Sequence, residues 1–157
     1  MGVTMPSGRR LWQLLLVSCL ALWIGTELPA AWGQDRSLVL ELGNFHSQYV
    51  WSEQTKQYAL KDRQELEKII SKYPIETRIE MLVDCMSDNT HSQVKLKTVD
   101  VQIGLICYEG LTQTIYYEPP RAIAWPGYLT VPTSSHRLIE AQQAWRKVIQ
   151  SKSYVVL

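Results

Sequence analysis

Residues Ile75 to Cys107, IETRIEMLVDCMSDNTHSQVKLKTVDVQIGLIC, carry the pattern on which the fold assignment turns. Ile75, Thr77, Ile79, Met81, Val83 and Cys85 alternate with Glu76, Arg78, Glu80 and Asp84, and that period of two predicts a strand with Cys85 on its apolar face. The polar run Ser87 to Gln93 predicts a loop. A second extended run begins at Val94, where Val94, Leu96 and Thr98 share one phase and Val99, Val101, Ile103, Leu105 and Cys107 share the other. Keeping the apolar side inward needs a slip of one residue near Thr98, as a bulge or a strand break supplies.

The two cysteines hang on that slip. In one continuous hairpin Cys85 lies beside the loop and Cys107 at the far end, about 30 Å away at about 3.3 Å per residue, too far for a disulfide. A break near Thr98 that sends Val99 to Tyr108 elsewhere allows a Cys85–Cys107 bridge. Both readings, a disulfide and two buried thiols, stay open at this point.

Outward from this stretch, Leu38, Leu40 and Leu42 alternate and predict a first strand, and Gln48–Trp51 with Gln57–Leu60 predict a hairpin around Ser52 to Lys56. Asp62 and Glu65 resemble a capping box; Leu66, Ile69, Ile70 and Tyr73 follow at helical spacing, and Pro74 closes the helix. Glu109-Gly110 predicts a turn into a strand over Thr112 to Tyr117. Glu118 to Pro132 holds four of the seven prolines and predicts loop, with Tyr128 to Val131 as a short strand. Ser134 or Ser135 caps a last helix with Leu138, Ala141, Gln142, Trp145, Val148 and Ile149 as its inner stripe, and Tyr154 to Leu157 adds an edge strand. The order predicts an α+β fold: a single antiparallel β-sheet with two amphipathic helices packed on one face.

The N-terminus reads as an address. Arg9 and Arg10 precede the apolar run Leu11 to Gly25, then Pro29 and the small residues Ala31 and Gly33, the layout of a secretory signal peptide over residues 1–33, cleaved after Gly33. The apolar run of 15 residues falls short of the roughly 20 that span a bilayer; a span extended to Ala31 is the competing reading, and would leave an N-terminal membrane anchor. Leu16-Val17-Ser18-Cys19 resembles a lipobox with lipidation at Cys19, but the apolar run continues beyond it. Arg9-Arg10 matches a twin-arginine signal poorly. The expected destination is the periplasm, or the lumen of an internal membrane system, and residues 34–157 form one α+β domain.

Composition narrows the function classes. The 157 residues are 46% hydrophobic and 20% charged, in the range of ordinary globular proteins. The net charge of +1 comes from 16 basic and 15 acidic side chains, and without residues 1–33 it falls to zero, so the positive field that binds nucleic acid is lacking. No phosphate loop, Cys-x-x-Cys, His-Glu-x-x-His or Gly-x-Ser-x-Gly occurs, so no cofactor, metal site or catalytic set is expected. His136 beside Ser134 and Ser135 fits a helix cap better than a base and nucleophile. His91, near Asp84 and Asp88, lacks metal-ligand spacing and fits a solvated loop. His46, near Tyr49 and Trp51, fits a strand end. Cys107 on an apolar strand lacks the electropositive setting of a nucleophile.

One region stands apart. From Gly110 to Ser135 the only charges are Glu118 and Arg121, among Tyr116, Tyr117, Trp125, Tyr128 and four prolines. Prolines reduce the entropy lost on ordering, and Tyr and Trp offer large amphipathic contact area. Tyr116, Tyr117, Arg121, Trp125 and Tyr128 are therefore the candidate protein-binding residues; the competing reading folds these rings back over the sheet. The sequence thus points to an exported, non-catalytic accessory or assembly protein that binds another protein, at a membrane complex or a membrane surface. The alternatives are a small-molecule or lipid carrier with a cavity lined by Trp145, Val148, Ile103 and Tyr116, and a small hydrolase using His46 or His136 with a carboxylate.

Overall fold

The architecture is that of a computed structural model, which describes residues 31–120 and 124–157. The chain divides into two compact units, Met1–Trp32 and Gly33–Leu157. Nearly all of the segment read as a signal, with Arg9, Arg10 and Cys19, lies outside the described residues, as does Arg121. Among the described residues no helix is long and apolar enough to cross a membrane.

The described elements run α1 (Ala31–Gly43), β1 (Ser47–Ser52), β2 (Gln57–Leu60), α2 (Arg63–Ile70), α3 (Ile75–Cys85), β3 (His91–Leu96), β4 (Val99–Gln102), α4 (Ile103–Thr114), β5 (Ile115–Tyr116), α5 (Ser135–Ser151) and β6 (Val155–Val156). The α+β class stands, but the layout differs from a single antiparallel sheet with two helices. A four-stranded sheet has the order β2-β1-β3-β4, and its central pair β1 and β3 is parallel. β5 and β6 make a separate antiparallel ribbon. Five helices lie among the described residues rather than two.

Three segments with a period of two are helical, and burial shows why. In α1, Leu38 and Leu42 are fully buried while Leu40, between them, is 65% exposed. An i, i+4 pair inside with i+2 outside is helical geometry, so the expected first strand is corrected to a helix. In α3, Ile79, Leu82, Val83 and Met86 lie at i, i+3, i+4 and i+7 and are all buried, so the alternation of Ile75 to Cys85 was a second period laid over a helical one. Pro74 helps to decide it: extended at ψ 147°, it ends the turn after α2 and opens α3, and the Arg78 side chain reaches back to the Tyr73 carbonyl. The third segment is α4. Extended backbone continues from Val99 only to Gln102; from Ile103 the chain coils, and Ile103, Leu105, Ile106, Cys107, Tyr108 and Leu111 are all buried. A helix apolar on every side belongs in the middle of a core, and α4 packs against α3, α2, β4 and β5. The strand expected over Thr112 to Tyr117 shrinks to Ile115–Tyr116, and no strand forms at Tyr128 to Val131.

The irregularity near Thr98 is a tight hairpin turn. Lys97 takes a left-handed conformation at φ 57°, and β3 and β4 pair antiparallel on either side. Because the chain then coils into α4 and runs back over α3, Cys107 arrives beside Cys85. The two form a disulfide with Cα atoms 6.0 Å apart, as spacing for such a bond requires. The hairpin β1–β2 occurs where the sequence placed it, with Tyr49 opposite Leu60 and Trp51 opposite Tyr58, and so does α2.

The last helix begins as expected: Ser134 is the cap, its hydroxyl accepting from the Arg137 N–H at 3.3 Å. Buried Gln142 has a further role, donating from Nε2 to the Val83 and Asp84 carbonyls at 3.0 and 2.8 Å. Carbonyls at a helix C-terminus lack intrahelical partners, so Gln142 satisfies the end of α3 from inside the core and sets the position of α5 on it. Arg146 adds an exposed ion pair with Asp84 at 2.9 Å.

Candidate protein-docking site

Trp145, on the inner stripe of α5, anchors the aromatic residues. It is buried, and its indole N–H donates to the Gly127 carbonyl at 3.1 Å, which fixes the Pro126–Gly127 turn against the helix. Trp125 stacks edge-on to Trp145 with ring centroids 4.8 Å apart, Tyr117 lies 4.9 Å from Trp125, and Tyr128 lies 5.1 Å from it, nearly perpendicular. These separations are those of favourable tilted and T-shaped pairs. A Cβ at position 127 would lie 2.3 Å from the Trp125 ring, so any side chain there would displace that ring. Arg137 completes the support by donating to the Pro126 and Tyr128 carbonyls at 3.4 and 3.2 Å.

Of the five residues singled out in the sequence, the fold brings together Tyr117, Trp125 and Tyr128. Trp125 and Tyr117 are half-buried, while Tyr128 stands 54% exposed at the rim. Tyr116 does not join them. It is 53% exposed on the β5–β6 ribbon opposite Val155, also exposed. Arg121 lies outside the described residues. Sequence reading assigned Trp145 to the core stripe and did not connect it with Trp125, and it gave Arg137 no part. The usable signal was Pro126-Gly127, a turn beside a Trp that a buried indole N–H could hold.

Beside this cluster runs a groove of about 610 Å³. One wall is Tyr117, Trp125 and Pro126; the other is a stripe of α5 in which Ala144 and Val148 form the apolar floor and Glu140, Gln143, Lys147 and Ser151 the polar edge. Glu140 is already bound by Arg137. Ile103 and Trp145, two residues of the expected carrier cavity, are core residues, Val148 borders this open groove, and Tyr116 faces outward.

The histidines lie apart from it or at its margin. His136 Nδ1 is 3.6 Å from Glu140 Oε1, outside hydrogen-bond range, and its side chain is 80% exposed. His46 borders a second groove, of about 510 Å³, with Ser37, Glu41, Asn44 and Glu65. There Glu41 is held by Lys72 and by the Tyr73 hydroxyl, and its hydrogen bond pushes the Lys72 ammonium above its ordinary range. His91 is exposed at the start of β3, opposite Gln102. Among the described residues no three His, Cys, Asp or Glu side chains converge as a metal site.

No protein-family model, curated protein or solved structure matches this chain.

Proposed function

We propose that the protein is an exported, non-catalytic accessory or assembly factor that docks on a protein partner through the Tyr117–Trp125–Tyr128 face and the adjoining groove along α5. The observation that carries this reading is a rigidly supported aromatic face with an open edge: Trp125 is braced by Trp145, Gly127 and Arg137, while Tyr128 and the groove remain accessible. Half-buried aromatic anchors beside a groove with a polar edge are the composition of interface hot spots. Export is supported by the basic, apolar and small-residue order of residues 1–33 and by the Cys85–Cys107 bridge, a bond that persists in oxidising compartments.

The test is retrieval of the tagged protein from gently solubilised membranes and from the soluble exported fraction, with intact mass locating the N-terminus. Tyr128→Ser with Lys147→Glu alters the rim and groove while sparing the braced rings. The expected result is a defined complex with the wild type, at least tenfold depleted with the double variant at unchanged thermal stability. The same complex in equal amount with both proteins would place docking elsewhere, and a monomer in both fractions would overturn the reading.

A further inference from the structure

The groove beside Trp125 carries polar groups that the chain itself leaves unused. The Trp125 indole N–H and the Tyr117 hydroxyl make no hydrogen bond among the described residues, although both side chains line the groove. Neither is a buried, unsatisfied atom of the kind found at the Gln113 amide nitrogen, so both are open to water. The neighbouring indole differs, since Trp145 donates its N–H to the Gly127 carbonyl. Across the groove, exposed Lys147 has no acidic partner among the described residues. Glu140 on the same edge is held by Arg137, and Arg146, next to Lys147 in the chain, is held by Asp84. The aromatic wall therefore offers two donors, and the helical wall one cation.

The shape limits what can take them. Glu140, Ala144, Lys147 and Ser151 recur at helical spacing on one face of α5, so the groove follows that helix for about three turns, about 16 Å. An occupant must bring carbonyl acceptors that are not already bonded, side chains that pack flat on Tyr and Trp rings, and a negative charge. An α-helix fails the first requirement, because its carbonyls are bonded internally. An added β-strand needs an edge strand to pair with, and both walls here are side chains. A polyproline II segment has no internal hydrogen bonds, and its prolines dock in aromatic-lined grooves. About five of its residues, at about 3.1 Å each, cover the length.

We infer, on the docking reading above, that the partner seats an extended, proline-bearing segment in this groove, with one carboxylate side chain opposite Lys147. The Trp125 N–H and the Tyr117 hydroxyl donate to the segment's backbone carbonyls, and the two rings pack on its prolines. Lys147 fixes the direction in which the segment lies. Both sides are ordered before they meet, since the wall is braced by Trp145 and Arg137 and polyproline II has little conformational freedom to lose.

An array of Pro-x-x-Pro peptides carrying Asp, Ser or Lys at the variable positions is probed with the purified protein, and the best binders are titrated into it while the indole N–H resonances are followed by NMR. The Asp peptides are expected to bind best and to move the Trp125 resonance more than that of Trp145. Lys147→Glu, at an exposed and unpaired position, should reverse the preference toward the Lys peptides, by about fivefold, the effect of an exposed ion pair. Trp125→Phe keeps a ring in the wall and removes the N–H, and should weaken the Asp peptides about fivefold. Absence of any binder in the array, a charge preference that Lys147→Glu leaves unchanged, or equal binding of an alanine-rich helical peptide with the same charge would overturn the inference. The two readings fail separately. A complex retrieved from cells that the best Asp peptide does not displace refutes the polyproline occupant alone, whereas absence of any complex refutes docking itself.

Discussion

Gly104→Ala is expected to destabilise the protein by about 3 kcal/mol or more, the upper part of the range for forced overpacking. Gly104 is the second residue of α4, where the helix start presses on the backbone that leaves α3. A Cβ built there lies 2.2 Å from the Met86 carbonyl oxygen and 2.9 Å from that of Asp88. Both are main-chain atoms, so no rotamer change relieves the overlap. The Gly104 N–H also donates to the Asp88 carbonyl at 2.8 Å, and the Ile103 N–H donates to the Thr90 carbonyl at the same distance. Moving the helix start away to admit a methyl group therefore strains two hydrogen bonds as well as the packing of α4 on α3. Gly43→Ala is the control, since its Cβ would meet only the Ile103 Cδ1 side-chain atom at 3.3 Å. In urea titrations the first variant should lose most of its midpoint and the control little. Equal losses in the two would show that the close approach of 86–88 to Gly104 is wrong.

Removing the disulfide is the second large effect. Cys85 and Cys107 close a loop across a sequence separation of 22, which corresponds to about 3 kcal/mol of unfolded-state entropy. The bridge also joins the end of α3 to the middle of α4, the two helices with the most extensive mutual contact. The double variant Cys85→Ala, Cys107→Ala should lose about that amount, plus a smaller contribution from the side-chain volume removed at two buried sites. Reduction without mutation should lose the entropic part alone. A reductant that leaves the denaturation midpoint of the wild type unmoved, after mass spectrometry has shown two free thiols, would contradict the account.

These two sites also show what the sequence could and could not reveal. The α+β class, hairpin β1–β2, helix α2, the Ser134 cap and the inner stripe of α5 were legible because each has its own local signal. Segments Leu38–Leu42, Ile75–Cys85 and Ile103–Cys107 were not, because apolar residues occupied both the i+2 and the i+3/i+4 positions, so local pattern alone could not decide between strand and helix. Tertiary burial decided, with Leu40 outside between two buried leucines. The disulfide followed from the same uncertainty: it could be read only once the chain was known to coil after Gln102. In the candidate site, composition drew attention to Trp125 and Tyr128, whereas the brace from Trp145 and Arg137 depends on how α5 lies against residues 125–128, a distance relation that no spacing in the sequence encodes.

Photo-crosslinking from position 128 tests the proposed docking face most directly. A benzophenone amino acid replacing exposed Tyr128, with the same group at exposed His91 on the sheet as reference, is irradiated in cells that produce the protein. The account predicts one discrete crosslinked species from position 128 and none of that mass from position 91. Absence of any adduct at 128, or the same adduct from both positions, would contradict it.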